Sequence, residues 1–318
     1  MRLAFLFPGQ GAQSVGMGRA LAAAHPEARA VFETADRVLG LQLSELCWNG
    51  PESELRKTVN AQPALLTHSI AAWRMLEAAG IRPDWVAGHS LGEYSACVAA
   101  GALGFEDALR LTHRRGELMY QAGIERPGGM AAILGLSAIE VEAVCAVAVE
   151  AGIVRAANLN APGQVVISGE VAAVERACDI ARSRGAKRAI RLEVSGAFHS
   201  PLMASAAEGL GEALELATLE DARCPIVANV SARPVQRAED IRRSLREQLL
   251  GSVRWEESMR FLLEQGAEGF VEIGTGRVLR GLLRTLGSTM PSWNVEDPDS
   301  LAATLGALGS DRQPSLER

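Results

Sequence analysis

Short apolar runs alternate with segments of helical periodicity along almost the whole chain, and this alternation restricts the fold more than any other feature of the sequence. The run LAFLF (3–7) ends at Pro8-Gly9, as a buried strand would. The segment 63–80 has Pro63 near its start, apolar residues at helical spacing and Gly80 at its end, which predicts a helix. Strands that alternate with helices are typical of parallel sheets covered by helices. The sequence therefore predicts an α/β fold with a mostly parallel sheet.

The segment 127–195 follows a different order. From GMAAILGL to KRAIRLEV its patterns indicate strand, helix, strand, strand, helix and strand. This β-α-β-β-α-β order is that of the ferredoxin-like fold. We therefore predict a small domain inserted at 125–196 between the two parts of a larger α/β catalytic domain, 1–124 and 197–290. The remaining residues, 291–318, are predicted to be a C-terminal extension whose polar end is frayed.

Size, charge and cysteine content argue against several classes of protein. The chain has 318 residues, of which 48% are hydrophobic and 22% charged, so it can bury a substantial core. A formal net charge of -6 argues against nucleic acid as the main partner. The five cysteines contain no Cys-x-x-Cys pair, and no apolar run approaches the roughly 18 residues of a membrane span. We expect a reduced, cytoplasmic protein without a metal, a membrane or nucleic acid among its partners.

The pentapeptide Gly88-His89-Ser90-Leu91-Gly92 matches G-x-S-x-G, which places a nucleophilic serine on a sharp turn between a strand and a helix. Glycines are needed two positions to either side of the serine, because side chains there would clash. The surrounding segment 84–101 supplies a short strand before the turn and a helix of small residues after it. We therefore predict that Ser90 is an exposed nucleophile. The Leu91 N–H should point to where an oxyanion forms.

A nucleophilic serine needs a base, and His199 is the best candidate. The other four histidines fall on polar faces, within a helix, or next to the serine with the side chain directed away from it. His199 lies in VSGAFHSPLM, where Ser200 can cap a helix and Pro201 can begin it. A helix N-terminus disfavours imidazolium, which would keep His199 neutral and able to accept a proton. The alternative is a loop histidine without a role.

The helix predicted at 105–122 carries an arginine on its apolar face. Arg115 shares that face with Leu111 and Met119, whereas Arg114 lies on the polar face. A buried guanidinium requires an anionic partner. The pattern leaves two partners open: an internal Asp or Glu, or a substrate carboxylate held by the planar fork of arginine.

The segment FPGQGAQSVGMG (7–18) is rich in glycine but matches neither common phosphate-binding pattern. It lacks the Gly-Lys-[Ser/Thr] of a P-loop, and Ser14 stands where G-x-G-x-x-G has its third glycine. A loop that follows a strand beside the serine turn can instead supply the second N–H of an oxyanion hole. We predict that Gln10 is that donor and that the glycines permit close approach to a thioester carbonyl.

Six segments can be taken together: FPGQGAQSVGMG, GHSLGEYSA, RRGELM, ANLNAPGQVVISG, VSGAFHSPLM and VEIGTGRVL. In this order they resemble the malonyl-CoA:acyl carrier protein transacylase family, and the likeness extends over nearly the whole chain. The resemblance implies a hydrolase-like α/β core with an inserted ferredoxin-like domain. It also implies an activity: transfer of a malonyl group from malonyl-CoA, through a serine ester, to the phosphopantetheine thiol of an acyl carrier protein. Fatty-acid and polyketide biosynthesis both use such a step.

The resemblance implies catalytic roles for five residues. Ser90 is the nucleophile, and His199 is the base that later acts as an acid. The backbone N–H groups of Gln10 and Leu91 form the oxyanion hole. The main-chain carbonyl of Gln248, in REQLLGSVRW, orients the histidine, so no triad aspartate is required.

Substrate-binding roles are implied for four further residues. Arg115 binds the malonyl carboxylate, and Asn160 and Gln164 are polar positions of the small domain that face the cleft. Phe198 resembles the residue of malonyl-selective members, since members that take methylmalonyl usually carry a smaller one. Thr275 departs from the family pattern, in which proline is common, but it lies away from the chemistry.

No permanently bound cofactor is implied, because malonyl-CoA is a substrate and the phosphopantetheine belongs to the carrier protein. The alternatives are a serine thioesterase or esterase with the same dyad, a discrete polyketide-synthase acyltransferase with another acyl preference, and a non-catalytic carrier-docking module. A hydrolase of neutral esters has no use for Arg115. Carrier proteins are usually acidic, and the basic stretches 182–191 and 277–284 are either docking surfaces or solvated faces.

Overall fold

The computed structural model describes residues 1–310. Of the end predicted to be frayed, 309–318, residues 311–318 lie outside the described residues, whereas Gly309 and Ser310 belong to the last helix. The strands are β1 Leu3–Phe7, β2 Trp85–Gly88, β3 Gly128–Leu134, β4 Val154–Ala161, β5 Gln164–Glu170, β6 Arg188–Arg191, β7 Ile226–Val227, β8 Pro234–Val235, β9 Gly269–Ile273 and β10 Ser292–Val295. The helices are α1 Arg19–Ala24, α2 Pro26–Leu39, α3 Leu43–Asn49, α4 Glu52–Leu55, α5 Thr58–Ala78, α6 Gly92–Ala99, α7 Phe105–Glu125, α8 Ala138–Ala148, α9 Val171–Ser183, α10 Ala204–Leu216, α11 Ala238–Gln248, α12 Trp255–Glu264, α13 Val278–Thr285 and α14 Pro298–Ser310. Within these residues, no helix combines the length and the apolar character needed to cross a membrane.

The larger sheet has the strand order β10-β9-β1-β2-β7-β8. Its first five strands are parallel, and only β8 runs antiparallel, at the edge. All five residues of the central strand β1 are buried, because helices cover both faces. Phe5 and Phe7 pack into one core with α2 and α5, whereas Ala4 and Leu6 pack into the other with α12 and α13. This is the mostly parallel sheet that the alternating pattern predicts.

The smaller sheet has the order β4-β5-β3-β6, and every neighbouring pair is antiparallel. Helices α8 and α9 cover one face with a separate apolar core, to which Ile133, Ile167 and Val174 belong. The order along the chain is β-α-β-β-α-β. The predicted fold class, an α/β core with a ferredoxin-like small unit, is therefore confirmed, while the exact domain boundaries at 125 and 196 stay a prediction.

The two sheets are joined close to a predicted site residue. Strand β4 bonds to the segment after α11: Leu159 N donates to Val253 O at 2.9 Å, and Val253 N donates to Ala157 O at 2.8 Å. The Arg155 guanidinium reaches the Leu250 carbonyl at 2.9 Å. These bonds hold the small sheet against the residues that directly follow Gln248. The smaller unit is thereby fixed to the larger unit beside a predicted site residue.

Helix α5 begins five residues before the predicted start, which is a correction. Pro63 suggested a helix N-terminus, but it lies inside the helix that starts at Thr58. The first turn of this helix packs on α7, where a Cβ on Gly116 would lie only 2.7 Å from Val59 Cα. Most of the helix is buried, so tertiary packing outweighs the backbone hydrogen bond that proline cannot donate.

The predicted C-terminal extension contributes a strand to the larger sheet. Strand β10 pairs in parallel with β9, and Val295 belongs to the main core. Helix α14 follows it, and its Leu301 and Leu308 pack into the same core. Residues 291–310 are therefore continuous with the larger sheet in space.

Candidate active site

The G-x-S-x-G turn joins β2 to α6 in a geometry that only small flanking residues allow. Ser90 has φ of 51°, in the left-handed region that non-glycine residues rarely adopt. A Cβ on Gly88 would lie 1.9 Å from the backbone of Gly92, and one on Gly92 would lie 2.1 Å from Phe7 O. Neither glycine can carry a side chain. The strained turn consequently presents Ser90 at the end of the sheet, at the start of a helix.

Ser90 and His199 form a hydrogen-bonded dyad. Ser90 Oγ lies 2.7 Å from His199 Nε2, and His199 Nδ1 lies 2.9 Å from the main-chain oxygen of Gln248. Because a carbonyl can only accept, Nδ1 carries the hydrogen and the Nε2 lone pair faces the serine hydroxyl. Ser200 accepts a hydrogen bond from Leu202 N at 3.3 Å and caps the short 3-10 turn Pro201–Met203, as its sequence position predicts.

The surroundings of His199 favour the neutral imidazole. Burial, and to a smaller extent the positive charge of Arg115, lower the pKa of His199 from 6.5 to about 3. A neutral imidazole beside a serine hydroxyl is the state in which a general base can accept a proton.

The Arg115 guanidinium is buried and bonded only to neutral oxygens. Nη1 donates to Gln62 Oε1 at 2.6 Å, and Nη2 donates to Gln248 Oε1 at 3.0 Å and to Ser90 Oγ at 3.2 Å. No carboxylate within residues 1–310 forms an ion pair with it, and its Nε is buried without a partner. Of the two partners left open by the sequence, no internal acid contacts the guanidinium directly; the buried Glu93 acts on its charge only from a distance. The charge remains available to an anion at the serine.

Two backbone N–H groups near Ser90 are unoccupied. Neither Gln10 N nor Leu91 N has a hydrogen-bond acceptor among the described residues. The loop that carries Gln10 lies against the serine turn, because a Cβ on Gly9 would be 2.4 Å from His89 O. The side chain of Gln10 is held in turn by Thr58 Oγ1 at 2.8 Å. Two free donors that flank a nucleophile are what an oxyanion hole requires.

The glycines of this loop have identifiable backbone roles, and two of them, Gly9 and Gly11, also line the cleft beside Ser90. Gly9 allows contact with the serine turn, and Gly11 and Gly16 have positive φ with open space around them. Gly18 also has positive φ, and a Cβ there would meet the Phe32 ring at 2.3 Å. That the glycines permit close approach to a thioester carbonyl stays a prediction.

The predicted binding residues line one cleft of about 540 Å³ between the two sheets. The lining includes Ser90, Arg115, Phe198 and His199 from the larger unit, and Met130, Asn158, Asn160 and Gln164 from the smaller one. Asn160 Oδ1 lies 2.8 Å from His89 Nε2, so Asn160 also connects the small sheet to the serine turn.

Three buried residues that contact the site were not identified from the sequence. Asn229 Oδ1 accepts from Ser90 N at 2.7 Å, and its Nδ2 donates to Gly88 O at 2.7 Å. Glu93 contacts Gln248, and Gln62 contacts Arg115. Glu93 could have been noticed as an acid within a small-residue helix, and Gln62 lies in the turn of α5 that the prediction omitted. No sequence motif around Asn229 marks it as a residue of the site.

The predicted basic stretches are partly neutralised. Arg182 pairs with Asp179, Arg191 with Glu175, and Arg277 with Glu296. Within these two stretches, the cations that form no ion pair with a described residue are Arg184, Lys187, Arg188, Arg280 and Arg284, of which Arg280 donates to Asn294 Oδ1 at 2.7 Å.

A strained serine turn, a neutral histidine and two free N–H donors define the class of serine acyltransferases and hydrolases. The acyl transferase domain family matches residues 4–311, and the chain belongs to this family. A malonyl CoA-acyl carrier protein transacylase of Bacillus subtilis (strain 168) is 48% identical over 308 residues, which cover 96% of this chain and 97% of the relative.

Solved structures agree with the sequence match. An acyl-carrier-protein-S-malonyltransferase from Bartonella henselae is 42% identical, with a TM-score of 0.94 and coverage of 97% of this chain and 100% of that chain. A malonyl-transacylase in complex with its type II PKS acyl-carrier protein is 44% identical, with a TM-score of 0.94 and coverage of 96% and 100%.

Proposed function

We propose that the protein transfers a malonyl group from malonyl-CoA to the phosphopantetheine thiol of an acyl carrier protein, through an ester on Ser90. The buried guanidinium of Arg115 carries this proposal. It points at Ser90 Oγ from 3.2 Å and has only neutral partners. The far carboxylate of a malonyl group on that serine would supply an anion in direct contact with the guanidinium.

In the first half-reaction, His199 Nε2 takes the proton of Ser90 Oγ as the oxygen attacks the thioester carbon. The N–H groups of Gln10 and Leu91 stabilise the oxyanion of the tetrahedral intermediate. The C–S bond then breaks, and the imidazolium returns its proton to the leaving CoA sulfur. The product is malonyl-Ser90 with its carboxylate on Arg115.

In the second half-reaction, the pantetheine thiol enters the same cleft. His199 removes the thiol proton, sulfur attacks the ester carbonyl, and the same two N–H groups hold the oxyanion. The C–O bond to Ser90 breaks, and the proton passes from His199 to Oγ. Because each step uses side chains, backbone and the two thiols alone, we propose that no resident cofactor or metal takes part.

Phe198 supports a malonyl donor, and the free cysteines support a cytoplasmic setting. Phe198 is buried, lines the cleft and directly precedes His199, and we propose that its ring favours malonyl over the branched methylmalonyl group. All five cysteines are free, as suits a reducing compartment. The carrier protein would serve fatty-acid or polyketide biosynthesis.

The test is intact-mass measurement after mixing with malonyl-CoA. We expect a malonyl adduct that peptide mapping places on Ser90, and no adduct on Ser90→Ala. A Ser90→Ala protein that is labelled to the same extent would refute the proposed covalent route.

A further inference from the structure

Glu93 is a buried carboxylate in the first turn of α6, and the proposed reaction does not use it. Its side chain is 1% exposed. One oxygen, Oε2, accepts a hydrogen bond from Gln248 Nε2 at 2.7 Å and another from Asn229 N at 3.3 Å. Burial of an acid is unfavourable unless its oxygens are bonded in this way. The contact with Gln248 connects Glu93 to the site.

The contacts of Gln248 determine which way its side-chain amide faces. Nε2 donates to Glu93 Oε2 and, at 2.8 Å, to Ser90 O. The Ser90 carbonyl also accepts from the backbone of Glu93 at 3.0 Å, so it is already satisfied. With the nitrogen held on this side, Oε1 is left to accept from Arg115 Nη2 at 3.0 Å. The opposite orientation would set two donors, the amide and the guanidinium, against each other.

The orientation of the Gln248 side-chain amide helps to fix the position of the Arg115 guanidinium. The guanidinium is held between two amide oxygens, Gln62 Oε1 and Gln248 Oε1, without an ion pair. This arrangement fixes the direction of the cation and leaves its charge for a ligand. Reversal of the Gln248 amide would remove one of the two supports.

We propose that Glu93 is a positioning residue for diacid specificity: it fixes the Gln248 amide, whose oxygen holds Arg115 in line with the acyl group on Ser90. The inference rests on the proposed function. It requires an oxygen acceptor at Glu93 rather than a charge. Although burial raises the pKa of Glu93 to about 7, a carboxylate and a carboxylic acid both offer such an oxygen.

The orientation of the base, His199, does not depend on this side-chain amide. His199 is oriented by the main-chain carbonyl of Gln248, which a side-chain substitution leaves in place. Loss of the Glu93 oxygen should therefore impair malonyl transfer, which needs Arg115, far more than acetyl transfer, which does not. A purely structural role for Glu93 would impair both acyl groups equally.

The experiment compares kcat/KM for malonyl-CoA and acetyl-CoA in Glu93→Met and Glu93→Gln. We expect the malonyl-to-acetyl ratio to fall by about tenfold or more in Glu93→Met, the usual effect of one buried hydrogen bond to a charged network. In Glu93→Gln, whose side-chain oxygen can take the place of Oε2, the ratio should stay close to that of the unmodified protein.

An unchanged ratio in Glu93→Met, or an equal fall in Glu93→Gln, would overturn the inference. If circular dichroism shows that Glu93→Met is unfolded, Gln248→Met serves as the second variant, because it removes the same amide and must lower the same ratio. Formation of the malonyl ester by the unmodified protein is measured in parallel, so failure of the proposed function is seen separately.

Discussion

His199 is a base whose protonation is opposed by burial and by Arg115, and this determines the pH range of the dyad. The native pKa of about 3 lies far below the ordinary value of 6.5. The neutral, proton-accepting form therefore persists as pH falls through 6.5. The same shift affects stability: below 6.5 the unfolded chain binds a proton at this position that the native protein does not, so His199 contributes to a loss of stability as pH falls towards its native pKa.

The ring of His199 should consequently not titrate between about pH 8 and pH 5 in the native protein. Carbon-13 labelling of the histidines, with the His199 signal assigned by its absence in His199→Gln, would show this by NMR. In the denatured chain the histidines should titrate at ordinary values. A native His199 signal that titrates with a midpoint near 6.5 would contradict the described environment.

Arg115 should control acyl specificity. We expect Arg115→Ala to lose about 2–5 kcal/mol of transition-state stabilisation for malonyl transfer, because a buried charge pair is removed, and much less for acetyl transfer. The matched control is Arg114→Ala, an exposed neighbour on the same helix that pairs with Glu117. Equal losses for malonyl and acetyl transfer in Arg115→Ala would place Arg115 outside the substrate site.

Sequence patterns predict the site residues that lie in local motifs and miss those that meet only in the folded chain. Ser90 and His199 each stand in a recognisable turn or cap. Asn229 has none, since its amide reaches Ser90 from 139 positions away. The periodicity of α7 does place Arg115 inside the protein, but only the structure shows that its partners are amides.

The strand–turn–helix element depends on close backbone packing at Gly92. A Cβ there would lie 2.1 Å from Phe7 O, so Gly92→Ala must push α6 away from β1 and displace Ser90. We expect a loss of about 1–3 kcal/mol in unfolding free energy and loss of Ser90 acylation, measured by thermal unfolding and by labelling with malonyl-CoA.

The matched control is Gly281→Ala. Gly281 lies within α13, and a Cβ there has open space. Alanine is the better helix former, so this variant should gain up to about 1 kcal/mol and retain acylation. If Gly92→Ala acylates as fast as Gly281→Ala, the turn does not need the close contact.

The sequence predicts helices and strands well where a single periodic pattern dominates, and less well where two sequence signals indicate different helix starts. The small sheet follows its β-α-β-β-α-β pattern strand by strand, because alternating side chains face either a helix layer or the cleft. In α5, the start signal of Pro63 was stronger in the sequence than the preceding turn, whose packing on Gly116 is a long-range effect. Long-range packing cannot be inferred from local periodicity.

In the whole molecule, the cleft lies between the small sheet and the larger unit, which are bonded to each other along one edge of the small sheet. Bonds at Leu159 and Val253 fix β4 beside the segment after Gln248, and Asn160 contacts His89. Ser90 is partly exposed in this cleft, and an ion pair between Arg56 and Glu193 at 3.0 Å joins two other residues of its lining. Such a cleft can admit a CoA thioester, retain the acyl group and then admit the arm of a carrier protein.

In the proposed reaction, the acyl group waits on the enzyme for a carrier thiol instead of passing to water. CoA release should be followed in rapid mixing with excess malonyl-CoA, first without and then with acyl carrier protein. We predict a single burst of CoA equivalent to the enzyme when the carrier is absent, and continuous turnover when it is present. Continuous release of CoA and free malonate without any carrier would contradict the account and identify a hydrolase.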